Sequence, residues 1–206
     1  ICPSTSANSL FCLGTAITPR HILYHKHGGA LANGSTMRFV TSDNTIVLRT
    51  QDQTVSLTVA DMIVGLLSSD LPATITPCPI APDNFKSYMG FTPRPPVLIL
   101  DQEAKGLVHD MQAISGPMIF NEQPANAQRL AFYEVTVTND SGKGWFALIN
   151  DQLVLLGVHR SVTDGFGVMG FNSAINAAIV AVDALGGVST GFTATNPSLS
   201  NFNVVS

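Results

Sequence analysis

A serine set among turn-forming residues, Asn139-Asp140-Ser141-Gly142, lies between a β-like run ending at Thr138 and an apolar hairpin at Trp145–Val158. In a loop between strands such a serine is exposed, and the backbone N–H groups of the loop can converge on the oxyanion that forms when the serine attacks a carbonyl. A serine hydroxyl is a poor nucleophile at neutral pH and needs an adjacent base to take its proton. Three histidines compete for that part, His21, His25 and His27, on a strand that opens at Gly14 and runs into a His-rich turn. Thirty-four residues beyond His27, Asp61 heads the apolar run Met62–Leu67. A carboxylate there can hold an imidazole in one tautomer and stabilise the imidazolium. Asp70, in the turn Ser68-Ser69-Asp70-Leu71-Pro72, and Asp52, in a polar hairpin, are weaker rivals. Ser115, in Ser115-Gly116-Pro117, has no preceding Asp and reads as a turn before a strand. Taken alone, Asp140-Ser141-Gly142 is also an ordinary turn; the upstream histidines and Asp61 raise it above one.

The order of these segments resembles the chymotrypsin-like (trypsin-fold) serine proteases. Gly14-Thr15-Ala16 leads to the histidines, Asp61-Met62-Ile63-Val64-Gly65-Leu66-Leu67 is similar to the family's Asp-headed apolar strand, and Asp140-Ser141-Gly142 to its nucleophile motif. Leu155-Leu156-Gly157-Val158 is similar to the second strand of the hairpin that follows, so the likeness runs from about Gly14 to Ile179. The resemblance implies Ser141 as nucleophile, His27 rather than His25 as general base and acid, and Asp61 as the orienting carboxylate. It further implies an oxyanion hole built at Asn139, Asp140 and Ser141, and an acyl-enzyme route with no metal and no organic cofactor. Four departures stand out: Asn139 where most members have Gly, Gly144 in place of Pro, and the added charges of Lys26 and Lys143. Asn is among the non-glycine residues most tolerant of left-handed backbone. Ile1 matches the terminus whose ammonium pairs with the Asp before the nucleophile in activated trypsin-like enzymes, here Asp140. The Val-Gly-Gly that normally follows is missing, so activation of that kind is not expected.

Residues just before the nucleophile and on the strand after the hairpin would form the pocket for the P1 side chain. Val135, six before Ser141, excludes the Asp that selects Lys or Arg. Thr136 and His159, in Gly157-Val158-His159, resemble the Thr and Gly-x-His that bind Glu or Gln in glutamyl endopeptidases and viral 3C-type proteases. An imidazole N–H and a hydroxyl suit a carboxylate or amide that would otherwise be buried unpaired. Arg160 either assists a carboxylate from the rim or points away.

These side chains need a scaffold that joins distant segments, and the composition says which. The 206 residues are 45% hydrophobic and 12% charged, with 17 Gly and 12 Pro among many Thr, Val and Ile, which favours β structure. Ten Lys and Arg against fourteen Asp and Glu leave a net charge of -4, which disfavours nucleic-acid binding. Apolar runs are too short to span a membrane.

Strand-like runs at Leu10–Thr18, Thr36–Thr41, Thr45–Thr50, Thr54–Val59, Met62–Leu67 and Ala73–Pro79 form one set. Val97–Asp101, Gly106–His109, Met118–Phe120, Leu130–Thr138, Trp145–Ile149, Leu153–Val158 and Phe166–Phe171 form a second. Evenly spaced strands with turns between them point to a sandwich or barrel. The expected fold is therefore all-β, and with the resemblance it becomes two six-stranded antiparallel β-barrels of the chymotrypsin-like fold with a C-terminal helix. The boundaries follow as 1–80 for the first barrel, 81–96 for a Pro-rich crossing, 97–172 for the second barrel, 173–187 for the helix and 188–206 for a flexible tail that wanders or docks. Cys2, Cys12 and Cys78 allow one bridge at most and match no zinc spacing; they leave the compartment open, with an extracellular setting favoured.

The expected partner is a protein or peptide substrate, with no nucleic acid and no membrane, and with self-processing of a precursor as a further expectation. The expected activity is a serine endopeptidase with a Glu or Gln preference at P1. The alternatives are a catalytically impaired protease-fold binding module, motivated by Asn139, and a β-sandwich structural protein, supported by composition alone.

Overall fold

The computed structural model describes residues 3–6, 13–27, 30–101, 105–137 and 140–202. Its first sheet comprises β1 (Pro3–Ser6), β2 (Leu13–Ala16), β3 (His21–His25), β4 (Thr36–Val40), β5 (Ile46–Ser56) and β6 (Met62–Leu67). These strands close into a barrel in the order β1-β2-β3-β6-β5-β4. The second sheet comprises β7 (Pro96–Leu100), β8 (Gly106–Ser115), β9 (Met118–Glu122), β10 (Gly144–Ile149), β11 (Gln152–Ser161) and β12 (Asp164–Gly167). It closes in the order β7-β8-β9-β12-β11-β10, so the second barrel repeats the connectivity of the first. All pairings between these twelve strands are antiparallel.

The strand patterns follow from what each face meets. In β4 only Met37 and Phe39 are buried, the alternation of a strand with one wet face. In β3 and β6 every residue is buried. Ile22, Tyr24, Ile63 and Leu67 fill the interior of the first barrel, whereas Leu23, Met62, Val64 and Leu66 belong to a cluster shared with the second barrel and the C-terminal helix. Strands covered on both faces read as continuous apolar runs, which is why Met62–Leu67 is so plain in the sequence. The hairpin between β10 and β11 turns on Asn150 (φ 49°) and Asp151 (φ 59°), the two consecutive left-handed residues that match strand twist in a two-residue turn.

Three readings of the sequence change. Thr45–Thr50 and Thr54–Val59 are not two strands with Asp52 in a hairpin between them; β5 runs through, with a register shift between Gln51 and Gln53. The shift turns Gln51 inward, where its amide accepts from the Tyr24 hydroxyl at 3.0 Å and donates to the Leu31 carbonyl at 2.8 Å. A polar triplet that looks like a turn is thus a bulge around a satisfied buried amide. Ala73–Pro79 forms no strand, since its prolines cannot donate to a ladder. Leu130–Thr138 is not a strand in its described part either: Leu130 ends a one-turn helix, α1 (Ala127–Leu130), capped by the Asn126 side chain, and 133–137 join no strand ladder. The β-branched residues there have no edge to join, because the barrel beside them is already closed.

The second helix, α2 (Asn172–Leu185), packs on β5 and β6 of the first barrel. Ile175, Ile179 and Val182 are fully covered, and each contributes about 1.5–3 kcal/mol by burial. The helix is tied down further at its C-terminal end. Asp183 meets His21 Nε2 at 3.0 Å and accepts from the Thr190 hydroxyl at 2.7 Å. Burial works against the Asp183 carboxylate, yet the Thr190 hydrogen bonds and His21 hold its pKa below the ordinary value. The described part of the tail docks along the barrels: Ile80 N–H donates to the Thr195 carbonyl at 2.8 Å, and the Asn150 amide to the Ser198 carbonyl at 3.0 Å. No helix among the described residues is long and apolar enough to cross a membrane.

Candidate active site

Each histidine of the first barrel has a different environment. His21, one of the three histidines considered for the base, is fully buried between Thr18 Oγ1 at 2.7 Å and Asp183 at 3.0 Å. Hydroxyl, imidazole and carboxylate line up there, but beneath α2 and away from solvent, as a structural tie. His25 ends β3 inside the protein. Burial, and then the neighbouring His27, push its pKa down to about 4, so it is neutral at working pH. The His27 ring lies 4.4 Å from it, centroid to centroid. His27 is 39% exposed and its Nδ1 meets Asp61 Oδ2 at 2.6 Å. Because Asp61 starts the turn into β6 and β6 pairs with β3, the ladder itself brings residues 34 apart into contact. The backbone adds a second tie, with Lys26 N–H donating to the Asp61 carbonyl at 3.2 Å. Asp70 instead pairs with Arg20 at 3.7 Å in an outer loop.

Ser141 is half-buried in the turn that leads into β10. The strand that follows sits hard against the first barrel: a Cβ on Gly144 would lie 2.7 Å from Thr15 Oγ1 of β2 and 2.3 Å from the Phe146 ring. That close approach leaves no room for the family's Pro at this position. Across the same boundary β3 packs against β11 and β2 against β10, so the turn that leaves β3 with His27 and the turn that enters β10 with Ser141 both adjoin strands of the barrel–barrel interface. Within the Ser141 turn, Asp140 N–H donates to the Val137 carbonyl, Gly142 N–H to the His159 carbonyl and Lys143 N–H to the Asp140 carbonyl. The Asp140 amide is therefore taken up by the Val137 carbonyl. The Ser141 amide makes no such bond among the described residues. Asn139 lies outside the described residues, as do Ile1, Cys2 and Cys12. Cys78 is a free thiol that burial pushes up to about 12.

Thr136 and His159 are buried and Val135 is exposed. Val135 lies on a cleft of about 140 Å³ with Asp101, Lys105, Glu134 and Asp140. His159 Nδ1 faces Trp145 Nε1 at 3.0 Å. An indole nitrogen only donates, so Nδ1 accepts and a neutral His159 carries its proton on Nε2. Burial pushes the His159 pKa down to about 4. Its Nε2 is covered and has no hydrogen-bond partner among the described residues. The Thr136 hydroxyl donates to the Val162 carbonyl at 2.8 Å, which leaves its lone pairs as acceptors. Arg160 turns outward, with Nη1 at 3.4 Å from Met118 Sδ and 3.9 Å from Asp164. Trp145 is the contributor that sequence reading missed. Its spacing from His159, 14 residues, becomes meaningful only through the β10–β11 register that sets Trp145 opposite Gly157.

The depressed histidines give a stability prediction. His25 and His159 bind their protons near pH 4 when folded and near 6.5 when unfolded. Between those limits the unfolded chain holds more protons, so stability falls as the pH drops from about 6 to about 4.5. Two protons correspond to roughly 2.7 kcal/mol per pH unit. Urea midpoints at pH 7, 6 and 5 measure this; a flat series contradicts it.

No protein-family model and no curated protein matches the sequence of this chain.

Proposed function

We propose that the chain is a serine endopeptidase of the chymotrypsin-like fold, with Ser141 as nucleophile, His27 as base and acid, and Asp61 as the orienting carboxylate. The observation that carries this reading is the 2.6 Å bond between Asp61 and the Nδ1 of an exposed His27, which leaves Nε2 for a reacting group. Two barrels of identical strand order support it, as does the Ser141 amide, unbonded among the described residues. In the reaction Ser141 Oγ attacks the peptide carbonyl as its proton passes to His27 Nε2. Asp61 stabilises the imidazolium, the Ser141 N–H donates to the oxyanion, and the same proton then goes to the departing amine. Water, deprotonated by His27, releases the acyl group.

The P1 side chain that fits best is glutamine. His159 offers an Nε2–H donor, and Thr136 offers an acceptor because its own proton is bound to Val162. An amide uses both, with its oxygen on His159 and its NH2 on Thr136. A carboxylate uses only the first and would be buried beside a neutral ring. Profiling on a peptide library tests activity and preference together. The expected result is kcat/KM for P1 Gln about 10–100-fold above P1 Glu, on the scale of one hydrogen bond made or lost. Trp145→Phe should narrow that ratio. Equal use of Gln, Leu and Lys contradicts the pocket, and no cleavage of any peptide contradicts the activity.

A further inference from the structure

The nucleophile turn contains a charge pair sealed from water. Lys143 Nζ meets Asp140 Oδ1 at 2.6 Å, and both side chains are 1% exposed. The second Asp140 oxygen accepts from Val137 N–H at 2.7 Å. The backbone of Lys143 is fixed from the other side, where His159 N–H donates to its carbonyl at 2.7 Å. The pair therefore links the segment before the nucleophile, through the turn, to the strand that carries the pocket histidine. Burying an ion pair seldom stabilises a fold more than apolar residues of the same volume, although breaking one by removing a single partner is costly. Its position around Ser141 gives it a use that packing alone would not.

We infer that Lys143 is an internal counter-ion of the nucleophile turn, a positioning residue that holds Ser141 and its amide in their working arrangement. This rests on the endopeptidase reading. The ammonium that faces Asp140 comes from three residues along the same turn, so the charge that fixes the turn is supplied where the turn is made.

Two proteins test this beside the wild type: Lys143→Met, and the double variant Asp140→Asn with Lys143→Met, which removes both charges and keeps the fold accessible. Lys143→Met should lose about 100-fold or more in kcat, the scale of a buried charge left unpaired. In the double variant, amide hydrogen exchange at Gly142 and His159 should be faster than in the wild type while the barrel core stays protected. Full turnover by Lys143→Met, or unchanged exchange in the double variant, would overturn the inference. Exchange is read without turnover, so it decides the matter even if the wild type cleaves nothing, an outcome that would instead remove the endopeptidase reading.

Discussion

Replacing Ser141 with Ala is expected to lower kcat by about six orders of magnitude, the loss seen when the nucleophile of a comparable triad is removed. Without Oγ no acyl-enzyme forms, and what remains is binding and the oxyanion donor acting on water, about 10³–10⁴ over the uncatalysed rate. Ser141 is half-buried in a turn whose hydrogen bonds are made by the backbone and by the Asp140 and Lys143 side chains. Its hydroxyl holds none of them, so the variant should unfold within about 0.5 kcal/mol of the wild type. Stopped turnover in a protein of unchanged stability separates chemistry from folding. A loss of only a few fold would mean that another group is the nucleophile.

The second large effect belongs to Asp61→Asn, expected to lower kcat by about 10⁴-fold with little change in KM. The 2.6 Å contact with a carboxylate makes His27 Nδ1 the donor, which in the proposed triad leaves Nε2 to accept the serine proton. An asparagine NH2 facing Nδ1 reverses this, placing the ring's proton on Nε2, where it blocks the transfer. The bond from Lys26 N–H to the residue-61 carbonyl is made by the backbone and persists in the variant, so the turn stays in place. Steady-state kinetics at pH 7 to 9 read the effect. A variant as active as the wild type would show that His27 needs no carboxylate, and the proposed triad would fall with it.

Much of this arrangement is legible in the sequence because chemistry and local pattern coincide there. Met62–Leu67 is apolar throughout because it is covered on both faces, and Asp61 at its head marks where the chain leaves that cover. The Asn150-Asp151 turn and the face of α2 can be read for similar reasons. Other features need the third dimension. Pro3–Ser6 has no apolar residue beyond its proline to announce a strand, yet it closes the first barrel. The repeated topology of the barrels leaves no sequence repeat, because strand order depends on pairing and not on residue identity. The reverse error arises at 133–137, where β-branched residues promise a strand that a closed barrel cannot accept. His21 and Trp145 escape a sequence reading for one reason: each acts through a partner, Asp183 or His159, that only tertiary packing supplies.

The course of the tail is also decided by packing. Its hydrogen bond from Asn150 lies at the tip of the β10–β11 hairpin, while Ser141 precedes the other end of β10. Six strand residues separate those ends, roughly 20 Å at about 3.3 Å each. In its docked form the described tail is therefore held at the far end of the hairpin from Ser141, and cleavage of this segment by the proposed site would call for its release or for a second molecule.

The most direct test of the central claim is labelling with a fluorophosphonate, which reacts with a serine only when a neighbouring base activates it, followed by peptide mapping. A single adduct on Ser141 is expected, none in Ser141→Ala and strongly slowed labelling in His27→Ala. A folded wild-type protein that takes no label, or a Ser141→Ala variant labelled at the wild-type rate, would contradict it.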